Sequence, residues 1–299
     1  MAIATRRPRA RPWLRLLAIP ALAIPVLAIP VLIGVTALWG LIAARSTPVV
    51  RAVTITLAGI PHGTRPLRIA LVSDIHVGNW AMPVDRLNRI VDQINAERPD
   101  AVLIAGDMVN GGVPESPYFH PELFVAPLSR LRAPLGAFAS IGNHDAETDP
   151  KLVGAALRRA GVQVLADRAV RVGPIALIGM DSAHLDARQF LPVVESAQNL
   201  GGVPVLMTHI PPWPSSMPKD IPLVLSGHTH CGQIVIGPWD NSWDPFRHQK
   251  RFDPRFRCGI AHTRTYTVVV TGGLGAASKI PLRINAPPDI WMITLIAQR

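Results

Sequence analysis

The sequence predicts an α/β fold in four layers, α/β/β/α, preceded by one N-terminal membrane helix. Three observations carry this. Apolar, strand-like runs alternate with amphipathic helical segments as far as residue 160. Beyond that point the chain is strand-rich, which favours two sheets packed face to face, with helices outside, over one doubly wound sheet. Residues 16–44 carry no charge.

That uncharged stretch would span about 43 Å as a helix, more than the roughly 30 Å of a bilayer core. It exceeds the roughly 7–15 apolar residues of a signal peptide, so the alternatives of a removed presequence or a buried soluble helix are less economical. Pro20, Pro25 and Pro30 recur in AIPAL-AIPVL-AIPVL. Each removes a helical hydrogen bond, so a kink is expected, with a straighter half from Val31 to Ala44. Five arginines precede the stretch (Arg6, Arg7, Arg9, Arg11, Arg15), and Arg45 and Arg51 follow it. The positive-inside rule then puts residues 1–15 in the cytoplasm, with 16–44 as a single-pass anchor in a bacterial inner membrane. Residues 49–299 would form one domain outside the cytoplasm. Arg6-Arg7 fits a twin-arginine export signal poorly, because Pro8 and Arg9 follow.

Val49–Leu57 reads as the first strand, and GIPHGTRP as a turn-rich connection. LRIALV and AVLIA read as buried strands. Between them, Val84, Leu87, Ile90, Val91 and Ile94 have helical spacing, with Pro83 suited to the first turn and Pro99 ending the helix. A loop from Gly111 to Pro121 and a helix from Glu122 to Leu131 come next. GAFASI is a strand, and Pro150 to Ala160 is a helix stopped by Gly161. VQVL and PIALIGM are short strands. Ala187 to Gln198 is a helix interrupted or started at Pro192. PVLM, PLVL, GQIVIG, YTVVV and DIWMITLI complete the strands.

The formal charge is +10, but it falls to +5 once the five leading arginines are set aside. No nucleic-acid partner is expected. A bilayer and an anionic substrate are compatible partners. Cys231 and Cys258 show no zinc-knuckle spacing and read as unpaired, although an exported domain would let them join.

The chemistry sits where the apolar runs end. Asp74 and His76 lie in SDIH, Asp107 in AGDM, Asn143, His144 and Asp145 in GNHD, His209 in MTHI, and His228 and His230 in SGHTH. Strand ends of an α/β sheet gather at one edge, so these distant residues can converge. In extended backbone, i and i+2 share a side, which would let Asp74 and His76 hold one cation, and likewise His228 and His230. Asp107 has two oxygens and can bridge two ions, and Gly106 before it permits close approach. Asn143 offers an amide oxygen and His209 a nitrogen. Two divalent ions about 3.5–4 Å apart would share a water and lower its pKa. His144 is reserved for protonating a leaving oxygen, with Asp145 a candidate to orient it.

SDIH, GD, GNHD, H and GHTH together resemble the calcineurin-like metallophosphoesterase superfamily. The resemblance implies one metal on Asp74, His76, Asp107 and His230, and a second on Asp107, Asn143, His209 and His228. His144 would be catalytic. LSGHTHCGQI, the anchor, and the tail GGLGAASKIPLRINAPPDI resemble the bacterial membrane-anchored phosphodiesterases. That branch includes enzymes similar to UDP-2,3-diacylglucosamine hydrolases of lipid A synthesis, and usually has glycine where Cys231 stands. The implied activity is hydrolysis of phosphodiester or pyrophosphate bonds, in a lipid-linked substrate, by water activated on two metals. Mn, Fe or Zn all suit mixed oxygen and imidazole ligation. A phosphomonoesterase or protein phosphatase on the same site is the enzymatic alternative, and a non-catalytic membrane sensor or scaffold the alternative of another class.

Three further features stand apart. Asp181 follows a strand and either approaches the site or forms a turn. Gly272, Gly273 and Gly275 read as a tight loop near the site. Residues 237–264 combine Trp239, Trp243, Phe246, Phe252 and Phe256 with Arg247, Lys250, Arg251, Arg255 and Arg257, which suits either a membrane interface or a loop packed on its own domain. His62, His120, His184, His248 and His262 have no ligand spacing.

Overall fold

The computed structural model describes residues 13–111, 120–181, 187–212, 217–240, 243–244, 249–250, 252–276 and 281–298. Helix α1 (Trp13–Ala44) runs unbroken for 32 residues through all three prolines. Its side chains are described from residue 28 onward. Among the described residues no helix is long and apolar enough to cross a membrane.

The domain proper begins with β1 (Val49–Leu57) and β2 (Leu67–Val72), then α2 (Val84–Ala96) and β3 (Ala101–Ala105). Helix α3 (Glu122–Leu128), β4 (Ala137–Ser140), α4 (Asn143–Thr148), α5 (Pro150–Arg159) and β5 (Val162–Val164) follow. The second half contains β6 (Arg168–Val172), β7 (Ile175–Met180), α6 (Ala187–Asn199), β8 (Val203–Thr208) and β9 (Leu223–Ser226). Two-residue strands β10 (Trp243–Asp244) and β11 (Gln249–Lys250) pair with each other. Then come β12 (Gly259–His262), β13 (Thr267–Val270) and β14 (Asp289–Ala297).

Two six-stranded mixed sheets result, in the orders β1-β14-β2-β3-β4-β5 and β12-β13-β9-β8-β7-β6. Their facing sides share one apolar core, in which Ile69, Leu71 and Leu103 meet Leu177, Val205 and Leu225. The outer face of the first sheet is covered by α2, α3 and α5, and that of the second by α6. The four layers are therefore present. Alternation explains the division, because successive side chains of a strand point into different cores. Ile69 and Leu71 face the other sheet, whereas Ala70 and Val72 face helices.

Several local expectations change. Leu87, Ile90, Val91 and Ile94 are buried on α2 as the spacing requires, with Pro83 capping it. GNHD starts a short helix, α4, rather than a loop. Helix α6 continues through Pro192. GQIVIG is not a strand. It makes only isolated bridges, Ile234 with Ile284 and Ile236 with Trp239, because Gly232 and Gly237 take left-handed backbone that interrupts the pleat. β6 was not foreseen, since RAVRV is half polar and lies at a sheet edge.

Candidate metal centre

Strands β2, β3 and β4 are parallel, as are β7, β8 and β9, so each set releases its chain at one edge. Asp74, Asp107, Asn143, His209 and His228 follow the ends of β2, β3, β4, β8 and β9 within two or three residues. The strand ends thus assemble the centre, as the sequence order anticipated. The local geometry differs from expectation. Asp74 (φ 50°), His76 (φ 48°), Asp107 (φ 57°), His228 (φ 69°) and His230 (φ 50°) all occupy left-handed backbone. They are not in extended chain, so the shared-side argument for D-x-H and H-x-H does not apply. Each side chain is aimed by a tight turn instead. Non-glycine residues in that region cost about 1 kcal/mol or more each, and such strain gathers at functional sites.

Two groups of ligand atoms form around Asp107. In the first, His230 Nε2 lies 3.2 Å from both His76 Nε2 and Asp74 Oδ1. His76 Nε2 is 3.8 Å from Asp74 Oδ1 and from Asp107 Oδ2. In the second, His209 Nε2 is 3.1 Å from Asp107 Oδ2 and from Asn143 Oδ1, and 3.2 Å from His228 Nδ1. Asp74, His76, Asp107 and His209 are fully or almost fully buried.

These residues fit cations. Among the described residues Asp74 Oδ1 is buried and accepts no hydrogen bond, with His230 Nε2 near it at 3.2 Å, while Oδ2 accepts from Ser73 Oγ and the His228 N–H. An orphaned buried carboxylate oxygen is costly unless something positive meets it. The imidazoles agree. His76 Nδ1 faces Val109 O at 3.1 Å and His209 Nδ1 faces Ala105 O at 2.8 Å. Each Nδ1–H donating to a carbonyl leaves an Nε2 lone pair turned toward the other ligand atoms, the usual support of a metal-binding histidine. No single N–H on His209 Nε2 could serve its three close neighbours at once.

Charge in the buried centre is set by opposing effects. Burial lowers His76 and His228 to about 3, so both stand as neutral ligands at pH 7. Burial opposes charge on His209, but neighbouring Asp107 outweighs it and raises His209 to about 10. A metal entering beside it would displace a proton. Burial raises Asp74 and Asp107, yet the surrounding histidines prevail and hold both carboxylates below their ordinary range.

His144 sits at the rim. Its backbone N–H donates to Asp107 Oδ1 at 2.9 Å, and its ring lies edge-on to His76 with centroids 5.0 Å apart. It is close enough to His76 and Asp107 to complete a third ligand group. Asp145 does not turn toward this ring. Its Oδ1 accepts from Met108 and Val109 N–H, and its Oδ2 from Gly142 N–H. It therefore pins the loops beneath His144, the consequence of α4 pointing successive side chains in different directions. Burial and the charge of Asp107 push Asp145 up to about 7.

Glycines make room. A Cβ on Gly142 would fall 2.0 Å from Asp107 Oδ1, and one on Gly106 would fall 2.6 Å from His209 Nδ1. Gly106 thus accommodates an imidazole. The glycine loop after β13 does approach the site: Leu274 N–H donates to Ser73 O, and Gly275 N–H to Asp74 O.

The sequence reading missed Arg283. It is fully buried, and its guanidinium donates to the carbonyls of Gly272, Gly273, Gly275 and Ala286. Nη2 also lies 3.3 Å from His230 Nδ1. An arginine in the apolar-looking tail IPLRINAPP was the available signal.

Cys231 and Cys258 form a disulfide across 27 residues, which corrects the expectation of unpaired thiols. Their sulfurs are therefore not metal ligands. The bond ties the residue after His230 to the start of β12. Phe252 and Phe256 are buried and so pack on their own domain rather than on a membrane, while Arg255 is exposed and pairs with Asp253. Among the described aromatic side chains of this loop Trp239 is the exception, at 78% exposed, while the side chains of Trp243 and Phe246 lie outside those described. Asp181 joins none of the ligand groups, and its backbone N–H bonds Asp167. His262 bonds Thr267 on the neighbouring strand. His184 and His248 lie outside the described residues.

A family profile described as Calcineurin-like phosphoesterase matches residues 67–232. A Helicobacter pylori protein named as an uncharacterized metallophosphoesterase is 30% identical over 239 residues, 78% of this chain and 60% of that protein. A Danio rerio protein named "Transmembrane protein with metallophosphoesterase domain" is 31% identical over 281 residues, 87% of this chain and 60% of that one. An Aquifex aeolicus metallophosphoesterase is 28% identical over 249 residues, covering 81% of this chain and 89% of its own. The chain spans about 60% of the length of the first two relatives.

Proposed function

The chain belongs to the calcineurin-like phosphoesterase family, and from that premise we propose a membrane-anchored, two-metal hydrolase of phosphodiester or pyrophosphate bonds in lipid-linked molecules. One observation carries the chemistry: two ligand groups meet at Asp107, beside a buried Asp74 oxygen that accepts no hydrogen bond among the described residues. Asp74, His76, Asp107 and His230 would hold one ion, and Asp107, Asn143, His209 and His228 the other. Divalent ions there would neutralise phosphoryl charge and make a nucleophilic water available near neutral pH.

The chain's own residues do the rest. His144 holds a proton on its imidazole for the leaving oxygen, the step that general acid catalysis serves. Its backbone is fixed by Asp107, and Gly111 leaves its ring space, since a Cβ there would fall 2.3 Å from His144 Nδ1. Asp145 keeps the turn from Gly142 to His144 in register with the loop after β3. With Mn²⁺ supplied, turnover of bis-p-nitrophenyl phosphate should exceed that of p-nitrophenyl phosphate. The reverse order would point to a monoesterase. Two bound ions per chain with neither ester hydrolysed would point to a sensor.

Anchoring is supported by α1. Its 32 residues extend about 48 Å, and from residue 29 to 42 large side chains such as Val31, Leu32 and Trp39 are 57–66% exposed. Lipid is the solvent that suits such a surface. The Danio rerio relative's name agrees. Export of the domain is supported by the arginines before α1 and by the disulfide, which persists in oxidising compartments. Orientation outside the cytoplasm favours envelope phosphodiesters over nucleotide-linked lipid precursors. Two tests follow from the disulfide. Protein alkylated in intact cells without reductant should show no free thiol, and full labelling of Cys231 and Cys258 would place the domain in the cytoplasm. Cys258→Ala should cost about 3.5 kcal/mol in denaturant unfolding, the loop-closure value for a separation of 27 residues.

A further inference from the structure

We propose that the edge of the domain bearing the metal ligands lies flat on the bilayer, held by Ile236 and Trp239 as a second contact beside α1. The centre then takes a phosphodiester carried in a lipid headgroup. The inference rests on α1 as an anchor and on the phosphoesterase reading, and it adds an orientation to both.

Topology gives the first reason. β14 runs antiparallel to β2, and β1 runs parallel to β14. The starts of β1 and β14 therefore lie at the edge where β2, β3 and β4 end, which is the ligand edge. Helix α1 stops at Ala44 and β1 begins at Val49. A membrane helix joined through so short a segment must deliver that edge, and not the opposite one, to the bilayer.

Contacts give the second reason. Arg283 N–H donates to Gly40 O of α1 at 3.0 Å, and a Cβ on Gly40 would meet Leu282 at 3.3 Å. The next residue, Ile284, donates to Gln233 O at 2.9 Å and accepts from Val235 N–H at 3.0 Å. Gln233 stands three residues beyond His230. Two backbone segments thus separate α1 from a metal ligand. On the other flank, Ala44 packs against Ala81 and Ala276. Arg45 lies 4.9 Å over the ring of Trp80, four residues beyond His76.

Exposure gives the third. Ile236 and Trp239 close a turn on each other by hydrogen bonds of 2.9 and 3.0 Å, and their side chains are 56% and 78% exposed. Trp80 is 47% exposed. Val235, next to Ile236, bonds Ile284, whose neighbour Arg283 bonds Gly40 of α1, and Trp80 lies under Arg45 just past the end of α1. Tryptophan belongs at that interface. Arg45 and Arg89 line one cavity at the end of α1 and supply the cations that lipid phosphates favour. Backbone bonds thus tie the apolar turn to the helix through Ile284 and Arg283, so the bilayer that would take α1 is the occupant that fits the turn.

The test uses the full chain in vesicles of phosphatidylcholine, phosphatidylethanolamine and phosphatidylglycerol. Trp239→Cys carries an NBD fluorophore on its introduced thiol, with the native disulfide left oxidised. Leu135→Cys, at the opposite edge before β4, is the control. Doxyl-labelled lipids should quench the label at 239 and leave that at 135 bright, whereas equal quenching overturns the orientation. Ile236→Ser combined with Trp239→Ser should keep bis-p-nitrophenyl phosphate turnover within about two-fold, while headgroup release from vesicle lipids falls about ten-fold. Equal effects on both substrates would overturn the second contact. Parent protein that cleaves the soluble diester but none of the vesicle lipids overturns the headgroup substrate. Quenching confined to 239, with no hydrolysis of any ester, supports the orientation and removes the phosphoesterase reading instead.

Discussion

Asp107→Ala is expected to lower turnover of bis-p-nitrophenyl phosphate by about 10³-fold, or about 4 kcal/mol in the barrier. Metal content should fall from two ions toward one or none. Asp107 Oδ2 lies between both ligand groups, 3.1 Å from His209 and 3.8 Å from His76, and nearer to His209 than Asp74 Oδ1 is at 4.0 Å. Its Oδ1 meanwhile receives the His144 N–H. Alanine removes the carboxylate shared by the two groups and the acceptor of the His144 N–H together. It also leaves His209 facing Asn143 and His228 without its main counter-charge. Folding must be followed alongside by circular dichroism, because a collapsed domain would mimic the loss. A folded variant with parental turnover would end the two-metal assignment.

Arg283→Met should cost about 4 kcal/mol of stability or more, a large share of the roughly 5–15 kcal/mol that holds a domain folded. The guanidinium serves the carbonyls of Gly272, Gly273, Gly275 and Ala286, all away from water. Methionine matches its length but donates nothing, and each stranded acceptor costs about 1–3 kcal/mol. Burial lowers Arg283 only to about 10, so it remains cationic at neutral pH. The consequence reaches the metals, because the Gly272–Gly275 loop is bonded to Ser73 and Asp74. Arg283→Lys should recover part of the loss, as an ammonium keeps the charge but cannot fork to four carbonyls. Urea midpoints and a metal-binding isotherm would decide. A methionine variant within 1 kcal/mol of the parent would sink the argument.

Much of the centre was legible because its residues follow apolar runs. LRIALV, AVLIA, AFAS, VPVLMT and LVLS are short and buried, and each is followed within a few residues by a group able to bind metal. Strand ends share an edge whatever the details of packing, so order alone predicted convergence. The same reasoning erred where conformation is local to a turn. Nothing in D-x-H distinguishes an extended pair from two left-handed residues, and that choice follows from neighbours such as Gly273 and Ser73. Asp145 misled because sequence adjacency to His144 says nothing about direction once GNHD becomes helical. Phe252 and Phe256 misled because composition cannot tell an aromatic facing lipid from one filling a core.

By itself the sequence determined the α/β class, the candidate metal-binding side chains and a long uncharged segment, residues 16–44. Those properties follow from residue type and short-range period, which the chain carries before it folds. Tertiary structure decided three other matters. It turned Arg283 inward among carbonyls, joined Cys231 to Cys258, and brought α1 to the edge that holds the ligands. Each depends on register between segments distant in sequence, such as β14 pairing with both β1 and β2. Such pairings are fixed only when whole sheets bury their faces together.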